Sequence, residues 1–216
     1  EHVAQVRTRS GISEYRTFYV GALPVIKEKE PNTKYDEAQL IELNQSVHGV
    51  VTAEDVDYFA VNCKKGQRLS VEIEAMRLGQ AFFDPYIAIL DPGRFEIAAV
   101  DDSPLCRQDA VASVLIPEDG RYVIEVRETG YGGGGNARYC LHVGHFPRPT
   151  SVFPAGGQAG QTLDLKLLGD AAGESTLQVA LPAEGPDVFP VWPHDDQGTA
   201  VTPHRLRVSQ DPNAFE

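Results

Sequence analysis

Residues 55–75, DVDYFAVNCKKGQRLSVEIEA, leave little choice of local structure. Residues 58–62 are an aromatic and apolar run, Lys64-Lys65-Gly66-Gln67 supplies a reversal, and Leu69, Val71 and Ile73 then alternate with Ser70, Glu72 and Glu74. A period of two sends successive side chains to opposite faces, so the second segment reads as an antiparallel strand buried on one side and solvated on the other. Between residues 45 and 143 the same alternation predicts strands at 46–51, 57–62, 68–75, 85–90, 96–100, 112–116, 120–128 and 137–144. Asp91-Pro92-Gly93 and Pro117-Glu118-Asp119-Gly120 mark turns between them. A set of this size and spacing makes a β-sandwich.

The flanks follow the same grammar more weakly. Residues 2–8 and 14–21 read as a hairpin turning at Ser10-Gly11, and Leu23-Pro24 ends it. A charged linker, residues 27–36, leads to EAQLIEL (37–43), which is expected to make one or two helical turns. Beyond the stiff Phe146-Pro147-Arg148-Pro149, about five short strands, including 162–168, 175–181, 187–192 and 204–209, predict a small immunoglobulin-like sandwich. The expected domains are therefore a terminal immunoglobulin-like hairpin (1–24), a larger sandwich (25–145) and a small module (146–216). Residues 205–209 and their approach to Glu216 echo residues 16–20 and their approach to Glu28, which reads as a repeating array. An isolated hairpin is marginal in water, so Val6, Phe18 and Val20 are expected to pack on the small module.

A chain of 216 residues holds one large or two small domains. Its net charge of -12 argues against nucleic acid and anionic membrane as partners, because phosphate binding needs clustered Lys and Arg, and it suits divalent cations. No apolar run reaches the ~18 residues of a membrane span. With Glu1 at its start and no leader in view, the sequence is expected to be an internal piece of a longer protein. Three cysteines, Cys63, Cys106 and Cys140, are an odd number, so at least one lacks an intrachain partner.

The run Asp55-Val56-Asp57-Tyr58-Phe59, followed by the Lys64-to-Gln67 turn and an alternating strand, resembles the core signature of the bacterial pre-peptidase C-terminal domain. The likeness covers residues 28–144, with Glu28-x-Glu30-Pro31-Asn32 as opening motif and residues 121–126 and 137–143 as the last two strands. It implies an all-β, jelly-roll-like antiparallel sandwich in a secreted or cell-surface bacterial protein, similar to large proteins of planctomycete type. It also implies a non-catalytic accessory role, with neighbouring domains of the parent protein and an extracellular protein or polysaccharide as partners. In collagen-binding relatives, the modules of clostridial collagenases, the linker motif and acids ahead of the Tyr-Phe strand hold calcium. Carried over, the ligands are Glu28, Glu30, Asn32, Glu54 and Asp57, while Thr33 stands where a further acid is common. Calcium takes six to eight oxygens. The competing reading is a solvated acidic linker.

A second acidic set follows from hairpin arithmetic. If Leu90 sits opposite Phe95, Asp84 falls near Asp101 and Asp102, with Asp109 joining and Arg107 as a counter-charge. A metal and ordinary turn-capping aspartates are both open there. The glycine-rich residues 130–136 lack the setting of a phosphate loop and read as a flexible hairpin tip. His194-Asp195-Asp196 reads as a surface loop, Trp192 and Tyr58, Tyr86, Tyr122 and Tyr139 as core, and His142 as a strand-face histidine. No serine elbow, Cys/His pair or His-Glu-x-x-His helix is visible, so no enzyme is expected; a hydrolase would have to use Asp84 and Asp101 in a cleft. The alternative to an accessory module is a dedicated binder of a protein fibre or polysaccharide, which an exposed aromatic row would favour.

Overall fold

Apolar residues at every second position give each sheet one face that must be covered, and two such faces cover each other. The computed structural model describes residues 2–211 and divides into two units after Gly144. The first opens with β1 (His2–Ala4), β2 (Arg7–Thr8), β3 (Gly11–Ile12) and β4 (Arg16–Phe18). Its sandwich is β5 (Val25–Lys27), β6 (Gln39–Leu40), β7 (Gln45–Val50), β8 (Asp57–Cys63), β9 (Arg68–Glu74), β10 (Pro85–Leu90), β11 (Glu96–Val100), β12 (Val111–Leu115), β13 (Gly120–Glu128) and β14 (Arg138–Gly144). One sheet runs β11-β10-β13-β8-β6 and the other β12-β9-β14-β7-β5. Pairing is antiparallel except at two edges, where β5 lies parallel to β7 and β6 to β8. Val47, Phe59, Leu69, Ile73, Ile87, Ile124 and Leu141 are wholly enclosed. Each such side chain contributes about 1.5–3 kcal/mol over its exposed state.

All eight strands expected between residues 45 and 144 form, and β10, β11 and β13 take the expected bounds. The turn before β9 is held from outside: Asp119 accepts from the Lys65 amide (2.8 Å) and from Lys64 Nζ (3.0 Å).

The polar side of β9 departs from expectation. Ser70, Glu72 and Glu74 are as enclosed as the apolar residues between them. Buried polar groups demand partners, and Ser70 and Glu72 are hydrogen-bonded. Ser70 Oγ meets Ser113 Oγ at 2.9 Å. Arg77, just past the strand, donates Nη2 to Glu72 Oε1 (3.1 Å) and to the Ile73 carbonyl (2.8 Å), and its Nε to Asp109. Burial works against the Arg77 charge, but Glu72, Cys106 and Asp109 outweigh it and raise its pKa.

Residues 37–43 do not make helical turns. A single 3₁₀ turn at Tyr35–Glu37 gives way to β6, whose Gln39 and Leu40 pair with Phe59 and Ala60 of β8. A segment this short is decided by the sheet edge beside it rather than by helix propensity. In the β10–β11 hairpin a bulge sets Leu90 opposite Glu96, not Phe95, because Phe95 instead pairs its carbonyl with the Asp91 amide (2.9 Å).

The N-terminal strands form two small ladders, β1 with β4 and β2 with β3, and belong with the first unit rather than the C-terminal module. Tyr19 donates its hydroxyl to the Arg77 carbonyl at 3.2 Å, while Val6, Phe18 and Val20 stay exposed.

The second unit contains β15 (Ser151–Phe153), β16 (Gly156–Gln158), β17 (Thr162–Leu168), β18 (Ser175–Ala180), β19 (Val188–Val191), β20 (His194–Asp195), β21 (Gly198–Thr199) and β22 (His204–Ser209). Two three-stranded sheets, β15-β17-β18 and β16-β22-β19, enclose Leu163, Leu165, Leu181, Val191 and Leu206. The strands beyond the expected five are two or three residues long, too short to show alternation. The sequence echo's approach to Glu216 lies outside the described residues.

Replacing Arg77 by Ala withdraws the cation from the buried Glu72 and Asp109. Stability should fall by about 3–5 kcal/mol, read as a lower urea midpoint at unchanged slope; a loss below about 1 kcal/mol would show that these carboxylates do not depend on it.

Candidate functional site

The linker after β5 passes from one sheet to the other. The Glu28 amide donates to the His48 carbonyl (3.0 Å), the Tyr58 amide donates to the Asn32 carbonyl (3.0 Å), and β6 then joins β8. Four of the five expected calcium ligands lie along this crossing. Carboxylate oxygens of Glu28, Glu30 and Asp57 come within 4.8 Å of one another, and Asn32 is fully buried. Each carboxylate is anchored by one oxygen: Glu28 Oε2 accepts from the Val50 amide (2.9 Å), Glu30 Oε2 from the Asn32 amide (3.0 Å) and Asp57 Oδ2 from the Tyr139 hydroxyl (2.6 Å). The remaining atoms are left over. Glu28 Oε1, Asp57 Oδ1 and both Asn32 side-chain atoms are buried without a hydrogen-bond partner. Each such atom costs about 1–3 kcal/mol.

Glycine makes this arrangement possible at one position. Tyr139 of β14 pairs with Gly49 of β7, and a Cβ on Gly49 would sit 2.3 Å from the ring's Cζ and Oη. The ring therefore lies over bare backbone and reaches Asp57 in the opposite sheet. Burial pushes the Asp57 carboxyl up to about 9; the Tyr139 hydrogen bond opposes this and nearby Glu28 adds to it. Burial also raises Glu28. Tyr139 is raised well above its ordinary value by burial and by Asp57, so its hydroxyl remains a donor.

Glu54, the fifth expected ligand, is not brought into this group. It is exposed, has φ 62° and gives its amide to the Tyr131 carbonyl at 3.0 Å. Asp55 accepts from the Thr52 amide and hydroxyl (both 3.2 Å) and adds negative charge beside Asp57. The glycine-rich segment is pinned rather than a free tip: the Gly134 amide donates to Val51 (2.9 Å), and a Cβ on Gly133 would lie 2.4 Å from the Thr52 carbonyl oxygen.

Of the second acidic set, Asp84, Asp101 and Asp102 are close enough to interact. Burial, then Asp102, Glu128 and Asp101, raise the Asp84 carboxyl, while Asp101 and Asp102 are exposed. Asp109 does not join as a ligand, since both its oxygens are taken by Arg77 and the Met76 amide (2.7 Å). Its counter-charge is thus Arg77 and not Arg107, which is exposed.

Sequence inspection missed a mixed cluster. Glu74, Cys140 and His142 are all buried, with ligand atoms within 4.8 Å of one another. The signal available was Cys140-Leu141-His142 on a strand, where residues two apart share a face. Cys63, Cys106 and Cys140 are all buried and held as thiols rather than disulfides, and burial raises the Cys63 thiol to about 11. Tyr122 and Tyr139 are core as expected, whereas Tyr58 and Tyr86 are half-buried and Trp192 is 44% exposed. Arg127 lies 3.8 Å above the Tyr86 ring, which keeps that aromatic at a polar surface.

Residues 55–128 match the family model described as the bacterial pre-peptidase C-terminal domain. Among solved structures the chain is similar to the pre-peptidase C-terminal domain of a collagenase from Bacillus anthracis, with 16% identity and a TM-score of 0.38 over 49% of this chain and 93% of that one. It is also similar to PliG of Aeromonas hydrophila, a periplasmic inhibitor of g-type lysozyme, with 17% identity and a TM-score of 0.38 over 50% of this chain and 96% of that one. No curated protein sequence matches. The match to that family model thus falls within the first unit, from just before β8 to the end of β13.

Proposed function

We propose that this chain is a non-catalytic accessory segment of a secreted or cell-surface bacterial protein, and that one calcium ion fastens its larger sandwich where residues 28–32 cross between the sheets. The observation that carries this reading is the convergence of partnerless buried oxygens on Glu28, Asn32 and Asp57 beside Glu30. A cation is the ligand that satisfies oxygens and relieves the repulsion between adjacent carboxylates at once. Three carboxylates and the Asn32 amide oxygen give four donors, and water completes the six to eight that calcium takes. The bound ion would clamp the linker to β7 and β8, giving the parent protein a stiff joint at the start of the sandwich. Its partners are then the parent's neighbouring domains. No helix among the described residues is long and apolar enough to cross a membrane.

The second unit favours a further reading of the same chain. Trp192 and Phe153 are exposed there, at 44% and 56%, as aromatic platforms for a polysaccharide or protein fibre would be. Trp192→Ala should then weaken retardation of the chain in gels containing the polysaccharide; unaltered retardation would remove the aromatic platform from the account.

Calcium should raise the melting temperature, with a gain of about 2.7 kcal/mol at a hundredfold excess over Kd, and Glu28→Gln should remove most of that gain. Equal melting in chelator and in millimolar calcium would contradict the site.

The pH dependence has a definite sign. Without cation, folded Asp57 holds its proton up to about pH 9 while the unfolded residue ionises near 3.8. Its contribution to stability is therefore complete below 3.8 and is lost as pH rises through about 9. Asp57→Asn lacks this loss. In chelator, the parent should weaken relative to Asp57→Asn as pH is raised across that window, and a pH-independent difference would refute the assignment.

A further inference from the structure

The buried polar face of the second sheet holds donors of a different kind from the calcium cluster. Cys140 of β14 stands opposite Glu74 of β9 on one side and His48 of β7 on the other, and His142 follows two residues along, opposite Ser46. Their strand neighbours Val47, Ile73, Leu141 and Val143 belong to the core, so this row occupies the other face. Glu74, Cys140 and His142 are only 3%, 8% and 5% exposed.

We propose that Glu74, Cys140 and His142 form a transition-metal site, and that zinc is the cation its carboxylate, thiolate and imidazole fit. His142 Nδ1 lies 2.7 Å from Ser46 Oγ, which fixes the ring and turns Nε2 toward Glu74 and Cys140. That Nε2 is buried and has only Glu74 and Cys140 to face. Its distance to Glu74 Oε2 is 3.7 Å, beyond hydrogen-bond range. Nitrogen and oxygen ligands on one tetrahedral ion, with bonds of about 2.0–2.2 Å, stand about 3.3–3.6 Å apart, so this pair is a few tenths of an ångström from ligand spacing. Cys140 completes a three-donor set with all ligand atoms within 4.8 Å. Sulfur and nitrogen donors select zinc over calcium, which prefers oxygen alone. On binding, the Cys140 thiol and His142 Nε2 give up their protons to solvent as the metal–sulfur and metal–nitrogen bonds form, and thiolate plus carboxylate balance the divalent charge. His48, exposed on the same face opposite Cys140, lies at the solvent rim, where water or its own imidazole takes the fourth position. Ser46 is a positioning residue that holds the ligand histidine.

The test uses the whole 216-residue chain, reduced and stripped of metal, titrated with cobalt(II). A thiolate-to-cobalt charge-transfer band should grow to one equivalent, persist in saturating calcium and vanish on adding zinc. Cys140→Ser should abolish the band, Cys63→Ser and Cys106→Ser should leave it, and Ser46→Ala should weaken cobalt binding about tenfold. No band, or a band that survives Cys140→Ser, would overturn the proposal. Should Cys140→Ser fail to fold, alkylation of the unaltered chain decides. Zinc should slow labelling of Cys140 about tenfold while Cys63 and Cys106 label at unchanged rates, and equal rates for Cys140 with and without zinc would overturn it.

Discussion

The larger sandwich turns on one interaction, the hydrogen bond from Tyr139 in one sheet to Asp57 in the other. It buries a carboxyl group at the edge of an apolar core, where a lone charge is expensive. Everything around it follows from that cost. Gly49 must be bare so that the Tyr139 ring can lie across its strand. The linker must bring Glu28 and Asn32 to the same place, and their unused atoms face into it without hydrogen-bond partners. A carboxyl group pushed up to about 9 by its surroundings is a group waiting for a positive charge. In this account a divalent cation turns mutual repulsion into the joint between the two sheets.

Much of the fold was legible because alternation is a backbone property. Leu69, Val71 and Ile73 point inward whatever covers the other face, so strand positions and bounds came out closely. What alternation cannot say is whether the polar face meets water. Glu72 and Glu74 are enclosed because Arg77 and His142 arrive from elsewhere in the chain to meet them. Residues 37–43 went astray for a related reason: a short segment beside an open sheet edge takes the edge's geometry. The hairpin register slipped because a bulge at Leu90 leaves no mark in the sequence.

Four members of the buried oxygen cluster could be named in advance because they sit in a compact motif and beside it, whereas Glu54 lies on a left-handed turn that directs its amide to Tyr131. Asp109 looked like another free acid in a row of aspartates, yet it is the buried partner of Arg77, some thirty residues away in sequence. The Glu74, Cys140 and His142 cluster needed the register of two strand pairs before it could be seen. The two clusters divide by chemistry, one hard and oxygen-only, the other with sulfur and nitrogen donors. Both lie within the first unit.

A high-resolution crystal structure of the chain grown with calcium tests the central claim most directly. The account predicts one ion at the crossing of residues 28–32, bonded at about 2.3–2.6 Å to Glu28, Glu30, Asp57 and the Asn32 amide oxygen, with Tyr139 still donating to Asp57. An electron-density map in which those four groups hydrogen-bond only to water or to each other, at saturating calcium, would contradict it.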